Sequence, residues 1–144
     1  MILILLILIV VVIAVGVFKN PSTSFTNVTI KNHLFKVEIA DTPEERQIGL
    51  SKRYYLAEDG GMLFTYTDKG IYGFWMKDMY FPIDIIWIED NTVVDILKSV
   101  NIPSTEKDVV AFYPYKPINK VLEIKSGLSD TFNIQPGDII TISD

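Results

Sequence analysis

Two carboxylates stand where the surrounding residues are suited to burial. Asp84 falls within Ile83-Asp84-Ile85-Ile86-Trp87-Ile88 and Glu123 within Val121-Leu122-Glu123-Ile124, stretches that are apolar at successive positions and so on both faces of a strand. A carboxylate taken out of water needs hydrogen-bond donors, or it takes up a proton. For Asp84 those donors are Arg46, Lys77 or turn amides. Read as chemistry, Asp84 and Glu123 are the candidate catalytic residues. Together they would form a pair for hydrolysis of a glycosidic bond, which needs two carboxyl groups flanking the scissile oxygen. Read as structure, Asp84 is a hydrogen-bond hub, and this reading is favoured because groups that fix a fold also have perturbed ionisation.

Aromatic side chains with flanking charges are concentrated in two runs, Phe74-Trp75-Met76-Lys77-Asp78-Met79-Tyr80-Phe81 and Phe112-Tyr113-Pro114-Tyr115-Lys116-Pro117. Side chains alternate along a strand, so Phe74 and Met76 take one face while Trp75 and Lys77 take the other. If Trp75, Lys77, Tyr113 and Tyr115 share the outer face, they form an aromatic and charged concavity of the kind that binds sugars or peptide termini. Arg46, Trp75, Lys77, Asp78, Tyr113 and Tyr115 are therefore the candidate binding residues, although each aromatic taken singly is expected to fill a core or a loop.

The chain has one histidine and no cysteine. That composition argues against a thiolate nucleophile, a Ser-His triad and a His- or Cys-ligated metal, and no cofactor is expected. His33 follows Asn32 in a turn signal and is expected to be exposed rather than catalytic.

The elements that must position these residues are mostly short strands. Residues 28–40 read as one strand, or as two meeting at Asn32-His33. Further β-prone runs follow at 62–66, 71–76, 83–88, 93–100, 121–125 and 139–142, with Glu89-Asp90-Asn91-Thr92 as a hairpin turn. The single clear helix is 43–48. Thr42 is its N-cap, Pro43 occupies the first helical position, Glu45 completes a capping box and Gly49 ends it. Many short strands with one helix predict a mainly β, β-rich α+β fold: a compact antiparallel barrel or sandwich.

Residues 1–18 contain no charge and no proline, and as a helix would be roughly 27 Å long, enough to span a bilayer. An uncleaved single-pass transmembrane anchor is expected, because no basic n-region precedes the run; Ala14 and Gly16 leave a cleaved signal segment as the alternative. Residues 19–26 read as a polar, Pro-interrupted tether and 27–144 as one β-rich domain. Asn27-Val28-Thr29 matches a glycosylation acceptor pattern. The net charge of −5 is carried with scattered Lys and Arg, which argues against nucleic acid as a partner.

Several separated motifs carry a family resemblance. They are Ala40-Asp41-Thr42-Pro43-Glu44-Glu45-Arg46-Gln47-Ile48-Gly49-Leu50, Gly61-Met62-Leu63-Phe64, Phe74-Trp75-Met76-Lys77, Pro82-Ile83-Asp84, Val121-Leu122-Glu123 and Gly137-Asp138. In this order they resemble the domain of unknown function family 192, from about Val28 to the C-terminus. The resemblance implies a small β-rich prokaryotic domain, often exported or membrane-tethered, and supplies no reaction. The chain departs from the family pattern at Ser51, where methionine is frequent, and at Asp78-Met79, where Asn-Thr is usual.

The expectation is a membrane-anchored domain facing outside the cytoplasm that binds or assembles a cell-envelope component, a glycan or a protein. A cell-envelope hydrolase using Asp84 and Glu123 is the alternative, and a purely structural envelope subunit the third reading.

Overall fold

The computed structural model describes residues 23–143. The run at 1–18, expected to be an anchor or signal segment, lies outside the described residues; among those described, no helix is long and apolar enough to cross a membrane.

Strands β1 (Phe25–Ile30) and β2 (His33–Ala40) form an antiparallel hairpin. Its turn residues Lys31 and Asn32 have φ of 47° and 68°, the left-handed conformations that a type I′ turn demands. The turn thus falls one residue earlier than expected, and His33 is not an exposed turn residue. Its ring stacks on Phe132 at 3.6 Å and its Nε2 is buried. β1 starts at Phe25, within the stretch read as tether. Asn27 lies mid-strand, with its neighbours on both sides paired, opposite Lys36 and Ser143.

Helix α1 (Pro43–Ile48) has the expected capping box. The Glu45 amide donates to Thr42 Oγ1 at 3.2 Å, and the Thr42 amide donates to Glu45 Oε2 at 3.1 Å. The amides of Thr42 and Asp41 both donate to the Glu45 carboxyl and hold it below its usual range. Thr42→Ala should therefore lower stability by about 1 kcal/mol; an unchanged denaturant midpoint would show that the cap contributes nothing.

The remaining elements are β3 (Gly60–Gly70), β4 (Phe74–Trp75), β5 (Ile83–Glu89), β6 (Thr92–Val100), a 3₁₀ turn (Glu106–Asp108), β7 (Ala111–Phe112), β8 (Ile118–Lys125), α2 (Leu128–Thr131) and β9 (Ile140–Ser143). The run expected at 71–76 is strand only at β4, which pairs with β7 as a separate two-stranded ribbon. Seven strands form the main sheet in the order β6-β5-β8-β3-β2-β1-β9. All neighbours are antiparallel except β2 and β3, whose parallel pairing needs a crossover, and α1 lies in it. At the sheet's two ends Thr92 bridges Ile139, and the Val93 amide donates to Asp138 O at 2.8 Å. The sheet therefore curls into a half-barrel.

Both faces are covered. One packs Ile86, Ile88, Leu122 and Ile124 with Phe35, Ile140 and Leu128 of α2. The other packs Ile85, Trp87, Met62, Phe64 and Val121 beneath Leu50, Phe74, Met76 and Met79. Burial on two sides is why β5 is apolar at successive positions instead of alternating.

Candidate functional site

The sheet register decides whether the two carboxylates can cooperate. β5 and β8 pair Asp84 with Ile124 and Ile85 with Glu123. Residues directly opposite share a face and neighbours along a strand do not, so Asp84 and Glu123 project to opposite sides of the sheet. They are not a catalytic pair.

Asp84 is fully buried and serves its surroundings. Its Oδ1 accepts the amides of Ser99 at 2.8 Å and Gly127 at 3.2 Å, and its Oδ2 accepts the amide of Ser129 at 2.9 Å. The carboxylate ties β6 and the start of α2 to β5. Gly127, with φ of 87°, supplies the left-handed turn that aims two of these amides inward.

Glu123 faces the other side, where an open cleft of about 220 Å³ lies beneath α1, β3 and β4. Arg46, Tyr66, Trp75, Lys77 and Glu123 all line it. Each arrives for a local reason. Met62, Phe64 and Tyr66 alternate along β3, so the tyrosine continues the face that Glu123 shares through its pairing with Met62. Gly61 lets β8 come close: a Cβ there would stand 2.5 Å from the carbonyl oxygen of Glu123. On the β4 segment Phe74 and Met76 are buried while Trp75 is 48% exposed and Lys77 is exposed, which is the expected alternation. Arg46 is fixed from α1, since its Nη1 donates to Asp41 O at 2.6 Å and Thr65 O at 2.7 Å. Its guanidinium lies 4.7 Å from the centre of the Tyr66 ring, and that ring stacks on Tyr72 at 3.6 Å.

Of the six residues expected to bind, Arg46, Trp75 and Lys77 meet in the cleft. Asp78 lines an adjoining hollow of about 650 Å³ that shares Trp75 and Lys77 with it. With φ of 57°, Asp78 takes the left-handed conformation that asparagine and aspartate tolerate best among residues with a side chain. Its departure from the family's asparagine therefore keeps the turn while changing the side-chain chemistry. The Asp78 carbonyl accepts the Lys52 amide at 2.7 Å, joining the two loops at the cleft's rim. Tyr113 packs on Gly73, where a Cβ would come within 2.7 Å of its ring, and so sits at the edge. Tyr115 is exposed and is not among the lining residues. Tyr66 is marked in the sequence only by the period-two alternation from Met62.

The electrostatics are uneven. Glu123 is 4% exposed, and among the described residues no donor pairs with its carboxyl. Burial alone pushes its pKa up to about 8, so at neutral pH it is chiefly an acid that can donate one hydrogen bond and accept another. Burial raises the Tyr66 hydroxyl to about 12, against the opposing charge of Arg46. With Glu123 protonated, the cleft carries the charges of Arg46 and Lys77 over a neutral floor. Among the described residues no cluster of His, Asp or Glu suited to a metal ion occurs.

Two solved structures resemble this fold. A protein from Sinorhizobium meliloti 1021, described as a candidate transcription regulator, is 29% identical, with 84% of this chain and 95% of that one covered at a TM-score of 0.77. A protein of unknown function from Novosphingobium aromaticivorans DSM 12444 is 29% identical, with 85% and 89% covered at a TM-score of 0.77. No curated protein matches the sequence significantly. The DUF192 family, described as Uncharacterized ACR, matches residues 26–142, which takes in the half-barrel but for the first residue of β1 and the last of β9, and the whole cleft. This chain belongs to the DUF192 family.

Proposed function

We propose that the domain is a binding or assembly module for a cell-envelope component, held at the membrane by residues 1–18 and facing outside the cytoplasm. One observation carries the reading: Arg46, Trp75, Lys77 and Glu123, four residues from three separate motifs, line a single cleft. A half-exposed tryptophan beside charged side chains and a buried acid is a recognition surface. A glycosidase would need a second carboxyl group across the substrate, and Asp84, the residue assigned that task, serves three amides on the far face. Nucleic acid is the partner suggested by the regulator-like relative, but phosphate backbones call for clustered cations. A chain of net charge −5 with scattered Lys and Arg does not favour that partner.

The test uses the full chain. It should stay with membranes through carbonate extraction, since the apolar run at 1–18 is long enough to span. In phosphatidylcholine nanodiscs it should co-sediment with protein-stripped prokaryotic cell-wall material. Trp75→Ala should reduce the bound fraction about fivefold or more without changing the melting temperature. Wild-type sedimentation by the variant would place binding elsewhere, and loss of the uncut chain to the soluble fraction would remove the anchor.

A further inference from the structure

The cleft's chemistry narrows what it can hold, and the argument rests on its being the binding site. Glu123 is an acid, 96% shielded from solvent by its 4% exposure, that lines an open cleft and has no donor or cation paired with it among the described residues. Among the described residues, the fully buried side-chain atoms left without a partner are His33 Nε2, Trp87 Nε1 and Ser129 Oγ; the Glu123 oxygens are not among them and open onto the cleft, where a group from outside can reach them. Arg46 lines the same cleft without a hydrogen bond or ion pair to it; its Nη1 is held by Asp41 O and Thr65 O. Above the floor stand the flat side chain of Trp75, half-exposed, and Lys77, which forms no ion pair with any described carboxylate.

We infer that the cleft binds an anionic saccharide: one hexose ring against Trp75, its carboxylate or phosphate on Lys77, and a ring hydroxyl hydrogen-bonded to Glu123. The cleft's 220 Å³ suits a single ring, and the adjoining 650 Å³ hollow, which shares Trp75 and Lys77, leaves room for the next unit of a chain. An amine ligand would pair with Glu123 but meet two resident cations. A neutral sugar would leave Lys77 without a role.

Proton occupancy then controls affinity. The charged or titratable groups facing Glu123 are Arg46 from α1, Tyr66 from β3 and Lys77 after β4. Tyr66, pushed up to about 12, stays neutral across the range concerned. Ionised Glu123 would repel the ligand's anion and lose its donor hydrogen.

Calorimetric titration of the full chain in phosphatidylcholine nanodiscs tests this, with methyl glucuronide, glucose 6-phosphate, methyl glucoside and glucosamine as probes at about pH 6 and about pH 9. At the lower pH methyl glucuronide or glucose 6-phosphate should bind about tenfold or more tightly than methyl glucoside, the stronger of the two identifying the anion. Lys77→Ala should erase that preference. Wild-type affinity for methyl glucuronide, whose charge is the same at both pH values, should fall about tenfold by about pH 9, where roughly a tenth of the chains keep the Glu123 proton, and Glu123→Gln should abolish that pH dependence. Equal binding of methyl glucoside, preference for glucosamine, or an unaltered pH profile in Glu123→Gln would overturn the inference. If none of the four sugars binds while the chain still sediments with cell-wall material in a Trp75-dependent way, the saccharide inference falls and the binding-module reading stands.

Discussion

Glu123→Gln should raise the melting temperature of the protein at about pH 9 and leave it nearly unchanged at about pH 5. In the folded chain the Glu123 carboxyl keeps its proton until about pH 8, whereas its ordinary value is 4.5. Between those values the folded state binds more protons than the unfolded state, so stability falls as pH rises through the window and levels off above it. The span from 4.5 to about 8 corresponds to a loss of up to ~5 kcal/mol. Glutamine has the shape of the protonated acid and cannot ionise, so the gap between variant and wild type should open from about pH 5 to about pH 8. Other displaced groups lie outside that interval: Glu45, Glu89 and Asp90 are lowered by their hydrogen bonds, while Lys69 and Lys116 are raised by their carboxylate partners. Parallel melting curves for the two proteins across the range would show that Glu123 ionises normally.

Asp84→Ala should cost about 3–5 kcal/mol, because it leaves the amides of Ser99, Gly127 and Ser129 without an acceptor in a dry environment. Asp84→Asn should be milder by roughly 1–3 kcal/mol. The asparagine oxygen can replace Oδ1, which accepts two of the three amides, but its NH₂ would then confront the Ser129 amide, donor against donor. A folded Asp84→Ala protein with an unchanged denaturant midpoint would show that the three bonds contribute nothing to the fold.

The local devices were legible in the sequence because each is written in adjacent residues. The capping box needs only Thr42 and Glu45, the hairpin at Asp90-Asn91 only its turn residues, and the division of Phe74 and Met76 from Trp75 and Lys77 only the pleat. Helix α2 was not legible. It is four residues long without a side-chain cap, and the Asp84 carboxylate, more than forty positions away, holds its first turn. The separation of Asp84 from Glu123 was equally hidden, for it depends on Ile85, not Asp84, lying opposite Glu123, and register between distant strands is set by the whole sheet. Three members of the cleft could be named in advance from their types. That Glu123 belonged with them and lacked a partner followed only from the strand order β5-β8-β3.

At neutral pH the floor of the cleft is a neutral acid. The most direct measurement is a carboxyl ¹³C NMR titration of the full chain in nanodiscs, with the Glu123 resonance assigned by its absence from Glu123→Gln. A midpoint near pH 8 is the predicted result. A midpoint near the ordinary value of 4.5 would contradict it and leave the cleft with an ionised floor at neutral pH.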